Sequence, residues 1–159
     1  MIWRALAGSD AETIAAACVT FDPYLRLGYR AETLIHYLTR PDPALDRYAI
    51  DANGRLIGVM ALRRPWLRGP LIEMLALLPT AQGQGFGSKI LDRCKNESGK
   101  NLWATVSAFH EPARHFYAKA GFEEVCALPG IVQEGEDELL LRWRSSFSTQ
   151  AGTTSVARP

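Results

Sequence analysis

Cysteine is scarce: Cys18, Cys94 and Cys126 are the three in 159 residues. Odd in number, far apart and set among apolar neighbours, they exclude a disulfide framework and read as buried free thiols of a reducing cytoplasm. His36, His110 and His115 show no ligand spacing with them or with one another, so no metal site is expected. Charge of one sign is lacking as well. Eighteen Lys and Arg against 17 Asp and Glu leave a formal charge of +1, which offers nucleic acid no basic stripe and a membrane surface no basic face. No run approaches the roughly 18 apolar residues of a membrane helix. The opening "MIWRALAGSDAETIAAACVTF" contains Ala15-Ala16-Ala17-Cys18, which faintly suggests a lipoprotein cleavage site, but Asp10 and Glu12 interrupt it and no export signal is expected. No internal repeat and no domain linker stand out.

What is present is a globular composition, with 47% hydrophobic and 22% charged residues. A chain of this length forms one domain that buries roughly two-thirds of its unfolded surface. "IWRAL" (2–6) is a short apolar run. After Gly8, Ser9 and Glu12 make a Ser-x-x-Glu capping box for a helix whose buried face carries Ile14, Cys18 and Phe21. "TFDPYLRLGYR" reads as a loop, and a second helix follows with Leu34, Tyr37 and Leu38 on one side, closed by "RPDP". "RYAID" and "RLIGVMAL" flank Asn53-Gly54, the clearest hairpin turn in the chain. "LIEMLALL" (71–78) is apolar on both faces except at Glu73, as expected of an interior strand, and Pro79 ends it. A helix from about 86 to 97 carries Phe86, Ile90 and Cys94 at spacing four, and "LWATVSAF" is the next strand. "EPARHFYAKAGF" is a short helix with Pro112 at its start and Gly121 as its stop; Ala113, Phe116, Tyr117 and Ala120 share a face. "FEEVCAL" and "DELLLRW" are strands. Residues 146–159 are poor in large apolar groups and are expected to form a mobile tail.

"LLPTAQGQGFGSKIL" (77–91) places Gly83, Gly85 and Gly87 between a strand and a helix. A dinucleotide fingerprint fails at Ser88, where its third glycine belongs, and a Walker loop fails because the order is Gly87-Ser88-Lys89. Glycines here let backbone N–H groups approach an anion at the positive end of the helix dipole, and no acid lies between Gly83 and Ile90 to oppose one. The same glycines also suit a plain tight turn, and by themselves they do not choose.

Gln82-Gly83-Gln84-Gly85-Phe86-Gly87 resembles the Gln/Arg-x-x-Gly-x-Gly/Ala motif of the GNAT superfamily of acyl-CoA-dependent N-acetyltransferases. "HEPARHFYAKAGFEEV" (110–125) is similar to that superfamily's second signature, Asn-x-x-Ala-x-x-Phe-Tyr-x-Lys-x-Gly-Phe. The two stand in the right order with one helix and one strand between them, and the likeness covers roughly residues 1–145. It implies a single α/β domain of GNAT type: a mixed, mostly antiparallel sheet of about six or seven strands, helices on both faces, and a central splay where the parallel strands part. It implies acetyl-CoA as cosubstrate, its pyrophosphate on Gln82, Gly83, Gln84, Gly85, Phe86, Gly87 and Ser88. Its pantetheine arm would pair with the backbone near Leu75 and Leu77, whose side chains stay in the core. Dimerisation is common in the superfamily, so a homodimer is allowed, though nothing in the sequence specifies one.

The implied activity is N-acetyl transfer to a primary amine of a small molecule or protein by direct attack in a ternary complex. The alternative is a non-catalytic acyl-CoA sensor or interaction module of the same fold; a protein holding another pyrophosphate is a third reading. Tyr117 matches the family tyrosine that protonates the departing sulfur, and a phenol of pKa near ~10 suits a thiolate; a core tyrosine is its structural alternative. The oxyanion donor is expected at a strand bulge near Leu77. Glu73 has two readings: a buried base with raised pKa, or a carboxylate paired with an arginine of "LRRPWLR". Many relatives carry a glutamate on the following strand, but Thr105 to Ser107 hold no acid. His110 stands where the family has asparagine; it replaces that residue's hydrogen bond to the pantetheine or a catalytic water, acts as a base near neutrality, or starts the helix at the surface. The acceptor is expected between "TFDPYLRLGYR" and "PGIVQEGEDE", with Phe21, Tyr24, Tyr29, Arg26 and Arg30 on one side and Glu134, Glu136 and Asp137 on the other.

Overall fold

The computed structural model describes residues 1–145; the expected tail at 146–159 lies outside the described residues. Apolar alternation and turn residues build seven strands: β1 (Ile2–Ala5), β2 (Leu45–Ala52), β3 (Arg55–Trp66), β4 (Gly69–Leu77), β5 (Asn101–Ser107), β6 (Glu123–Gln133) and β7 (Glu136–Arg144). Four α-helices join them: α1 (Gly8–Cys18), α2 (Ala31–Thr39), α3 (Phe86–Ser98) and α4 (Glu111–Lys119). The strands form one sheet in the order β1-β2-β3-β4-β5-β7-β6. Every neighbouring pair is antiparallel except β4 and β5. None of the described helices is long and apolar enough to cross a membrane.

Both sheet faces are covered, and period-two alternation decides which residue faces which layer. Met60, Leu62, Ile72, Leu102, Val106, Leu139 and Leu141 form one core with Ile90, Leu91 and Cys94 of α3 and Tyr117 of α4. Leu45, Val59, Ala61, Met74 and Ala76 form the other with Ile14 and Cys18 of α1 and Leu34 and Leu38 of α2. The hairpin between β2 and β3 turns on Asn53 at φ 53° and Gly54 at φ 72°, the positive φ pair such a turn needs.

Two local expectations are corrected. The helix α1 begins at Gly8, so Ser9 lies inside it and does not cap it; the Asp10 carboxylate instead accepts the Ala7 N–H at 2.8 Å. That carboxylate is held in place by Arg4, which donates to it at 2.6 Å and to Asp51 on β2 at 2.7 Å, tying α1 to the sheet edge. Cys126, expected to be buried, is exposed on β6, the edge strand; Cys18 and Cys94 are buried.

Candidate active site

Two features of β4 open the sheet. First, β4 pairs with β5 only at Leu71 with Trp103 and Ile72 with Ala104, after which the strands part. Second, the β3 register jumps from Leu62 opposite Ile72 to Ala61 opposite Met74, so Glu73 is an extra residue, a β-bulge. The bulge therefore sits at Glu73, four residues before Leu77, where it was expected. Beyond it, Leu78 donates its N–H to Ile57 on β3. Because strand amides alternate in direction, the amides of Leu75 and Leu77 face away from β3, into the gap left by β5. Consistent with this, the Leu77 carbonyl accepts the side-chain amide of Gln82 at 3.0 Å.

The gap widens into a cavity of about 760 Å³ that passes through the sheet. On the α3/α4 side it is lined by Gln82, Gly83, Gly85, Gly87, Ser88, His110, Phe116 and Tyr117, and on the α1/α2 side by Phe21, Asp22, Tyr24, Tyr29, Ser107 and Glu138; Glu73, Leu75 and Leu77 lie between. Gln84 and Phe86 are not part of its lining: Gln84 donates to the Thr80 carbonyl, and Phe86 packs on the core.

The three glycines differ in geometry. Gly83 and Gly85 have φ of +72° and +77° with open space where a Cβ would stand, so their backbone can approach a ligand closely. Gly85 is the N-cap of α3 and supplies no side-chain cap, and the first turn holds no acid. The first amides of α3 thus keep their donors and the dipole stays uncompensated, which is the chemistry of an anion cradle. Gly87 has a different job: its Cβ would stand 3.0 Å from the Phe116 ring, so glycine lets α3 lie close against α4.

Tyr117 is buried, with its ring edge-on to Phe116 and Phe122 at 5.2 and 5.1 Å. Burial, with the nearby Cys94 thiol adding to it, pushes its phenol well above the ordinary value of 10.0. It is therefore both a core residue and a neutral proton donor facing the cavity. His110 is the N-cap of α4 and half-buried. Burial lowers its imidazole below 6.5, against the opposing pull of Asp22, so the neutral ring lines the cavity at pH 7.

Glu73 takes the paired alternative. Arg63 grips its carboxylate with two donors, Nε to Oε2 and Nη2 to Oε1, the latter at 3.0 Å, and reaches Asp42 at 3.1 Å. The carboxylate that sequence reading missed is Glu138. It faces Ser107 across the β5–β7 ladder and accepts the Ser107 hydroxyl at 2.5 Å while only 7% exposed. Burial raises its carboxyl above 4.5, partly opposed by that hydrogen bond. The signal available was an acid at the start of "ELLL", inside a strand, which is the same kind of interruption that drew attention to Glu73. Among the hairpin acids, Glu136 is neutralised by Arg26 at 2.8 Å, and Arg26 also lies 4.1 Å over the Phe109 ring. Among the described residues no three His, Cys, Asp or Glu side chains group as metal ligands.

The sequence profile of the Acetyltransferase (GNAT) family matches residues 12–122. A curated relative, an uncharacterized N-acetyltransferase of Methanocaldococcus jannaschii, is 26% identical over 99 residues, 59% of this chain. The chain spans 63% of that relative's length. An aminoglycoside 6′-N-acetyltransferase solved with coenzyme A superposes with a TM-score of 0.65 at 12% identity, over 91% of this chain and 97% of that one. A spermidine N-acetyltransferase from Vibrio cholerae superposes at 0.63 with 19% identity, over 90% of this chain and 92% of that one. At these identities the superpositions show a shared fold.

Proposed function

The chain belongs to the GNAT family of acetyltransferases, and from that premise we propose that it moves an acetyl group from acetyl-CoA to a primary amine by direct attack in a ternary complex. The observation that carries the proposal is the cavity through the splayed sheet. It joins an uncapped helix N-terminus, open glycines and a protonated phenol on one face to a buried carboxylate on the other.

The residues present suit coenzyme A. The amides around Gly83 to Ser88 hold the pyrophosphate, and the free edge of β4 at Leu75 and Leu77 pairs with the pantetheine amides as a strand would. His110, neutral and half-buried, keeps a hydrogen-bonding edge toward the same arm. Bound there, acetyl-CoA supplies an activated thioester. Holding amine and thioester together supplies much of the acceleration, and the outward amides of β4 are placed to meet the charge that develops on the carbonyl oxygen. Tyr117 gives a proton to the departing sulfur; its raised pKa keeps that proton in place until a thiolate forms beside it. Glu73, gripped by Arg63, holds the bulge and takes no part in proton transfer.

Two measurements test the proposal. Thermal unfolding rises with acetyl-CoA and not with ATP or NAD, because only a ligand that binds the native state stabilises it. Thiol release from acetyl-CoA then depends on an added amine. Stabilisation by acetyl-CoA without release in any amine, amino-terminal peptide or aminoglycoside would make the chain a binding module instead.

A further inference from the structure

The α1/α2 side of the cleft carries information about the acceptor itself. Resting on the acyl-transfer reading above, we propose that this end takes a monoamine with a flat apolar body, whose nitrogen is held and deprotonated by Glu138.

Three observations combine. The wall is aromatic: Phe21 and Tyr24 stand edge to face at 6.2 Å, and Tyr24 and Tyr29 at 5.6 Å, all three lining the cavity. Such rings bury the flat face of an apolar group and accept a cation's field at their π surfaces. The floor holds one sequestered acid. Glu138 is 7% exposed and fixed by Ser107; of the other acids, Glu73 lines the cavity but is held by Arg63, Asp22 lines it but is exposed, and Glu136 is spent on Arg26. One buried carboxylate compensates one ammonium, and a second cation drawn into the same apolar space would be desolvated without a partner. Lastly, no lysine or arginine is found among the described residues that line the cavity, so nothing there favours an acidic acceptor.

Topology places Glu138 for the chemistry. Leu139 and Leu141 point into the α3/α4 core, so by strand alternation Glu138 points to the opposite face, with Ser107 directly across from it on β5. Tyr117 belongs to α4, across the sheet. The amine therefore approaches from one face while the sulfur leaves on the other. The ammonium first passes one proton through Glu138 to cleft water, which frees the lone pair. That lone pair forms the C–N bond as the C–S bond breaks; Glu138 takes the second proton lost by nitrogen and Tyr117 gives the proton gained by sulfur. Nitrogen loses two protons and sulfur gains one, so one is released to solvent, and exchange through cleft water restores both groups.

The test measures thiol release by the full chain at saturating acetyl-CoA with phenethylamine, spermidine and kanamycin. The expected kcat/KM for phenethylamine exceeds that for either polycation by at least ~10-fold, about 1.4 kcal/mol of discrimination. Glu138→Gln, which preserves shape and the hydrogen bond from Ser107, lowers kcat by ~10²-fold or more while calorimetry gives an unchanged Kd for acetyl-CoA, which also reports that the variant is folded. Phe21→Ala raises KM for phenethylamine with little change in kcat. Preference for spermidine or kanamycin overturns the acceptor class and leaves acetyl transfer standing. Full kcat in Glu138→Gln overturns the role of that carboxylate. Acetyl-CoA binding without release on any of the three amines overturns this inference, and extension of that silence to the wider panel removes the transfer reading too.

Discussion

Glu73→Gln separates a scaffold carboxylate from a catalytic one. In the native protein Glu73 receives two hydrogen bonds from Arg63, and each side chain of the pair is about a quarter exposed. Charge-assisted bonds of this kind contribute roughly 1.5–3 kcal/mol when well sheltered, and partial exposure reduces that. Glutamine keeps one acceptor for Arg63, and Asp42 continues to neutralise the guanidinium. The net loss is therefore about 1–2 kcal/mol, which in a domain of this size lowers Tm by roughly 2–8 °C. The bulge survives, so kcat changes by less than about threefold, against the ~10²- to 10⁴-fold loss expected on removing a general base. Thermal denaturation with steady-state thiol release reads both quantities on one preparation. Adding Arg63→Gln closes a double-mutant cycle, in which the second change should cost less in the Glu73→Gln background than in wild type. A fall in kcat of ~10²-fold or more at unchanged Tm would refute the scaffold assignment and return Glu73 to the chemistry.

Other perturbations address the remaining groups. Gly85→Ala puts a Cβ on a residue at φ +77°; strain of about 1–2 kcal/mol shifts the loop, so urea unfolding reports lower stability and calorimetry a weaker Kd for acetyl-CoA. Tyr117→Phe keeps the ring packing and removes the proton donor, so kcat falls by ~10²-fold or more with Kd for acetyl-CoA unchanged; undiminished turnover removes Tyr117 as the acid. Glu138 also predicts a pH signature in stability. Its folded carboxyl sits above 4.5, so the folded state binds its proton more tightly than the unfolded one does. Stability from this group is fully present below 4.5 and is lost as pH rises through the folded value. Glu138→Gln should therefore raise Tm relative to wild type at pH 8 and lose that advantage at pH 4. Equal Tm differences at both pH values would contradict the burial argument.

Local signals carried most of the fold into view. Asn53-Gly54 announced its hairpin because positive φ is a property of the turn residues themselves, and Pro79 and Gly121 ended their elements for equally local reasons. Gly83, Gly85 and Gly87 looked alike in sequence, yet two take positive φ with open space beside them and the third makes room for Phe116, a residue 29 positions later. Contacts distant in sequence account for the rest. Glu73 and Glu138 both interrupt apolar strands, and what separates them is a partner on another strand: an arginine for one, a serine hydroxyl for the other. Asp10, inside the first turn, takes the capping contact to Ala7 that Ser9 was expected to supply, because Arg4 anchors its carboxylate from β1. Cys126 had apolar neighbours, but they belong to the outermost strand, which has no layer to bury them.

The parting of β4 and β5 has a mechanical side. Their two paired positions lie at one end, and the chain passes from one half of the sheet to the other through the glycine loop and α3. The molecule resembles two panels joined by a short seam, backed on the α3/α4 side by a common core and unsewn on the other. An extended ligand with amides along its length would act as thread, so that the two panels exchange amide hydrogen as separate units when free and as one unit when laced together.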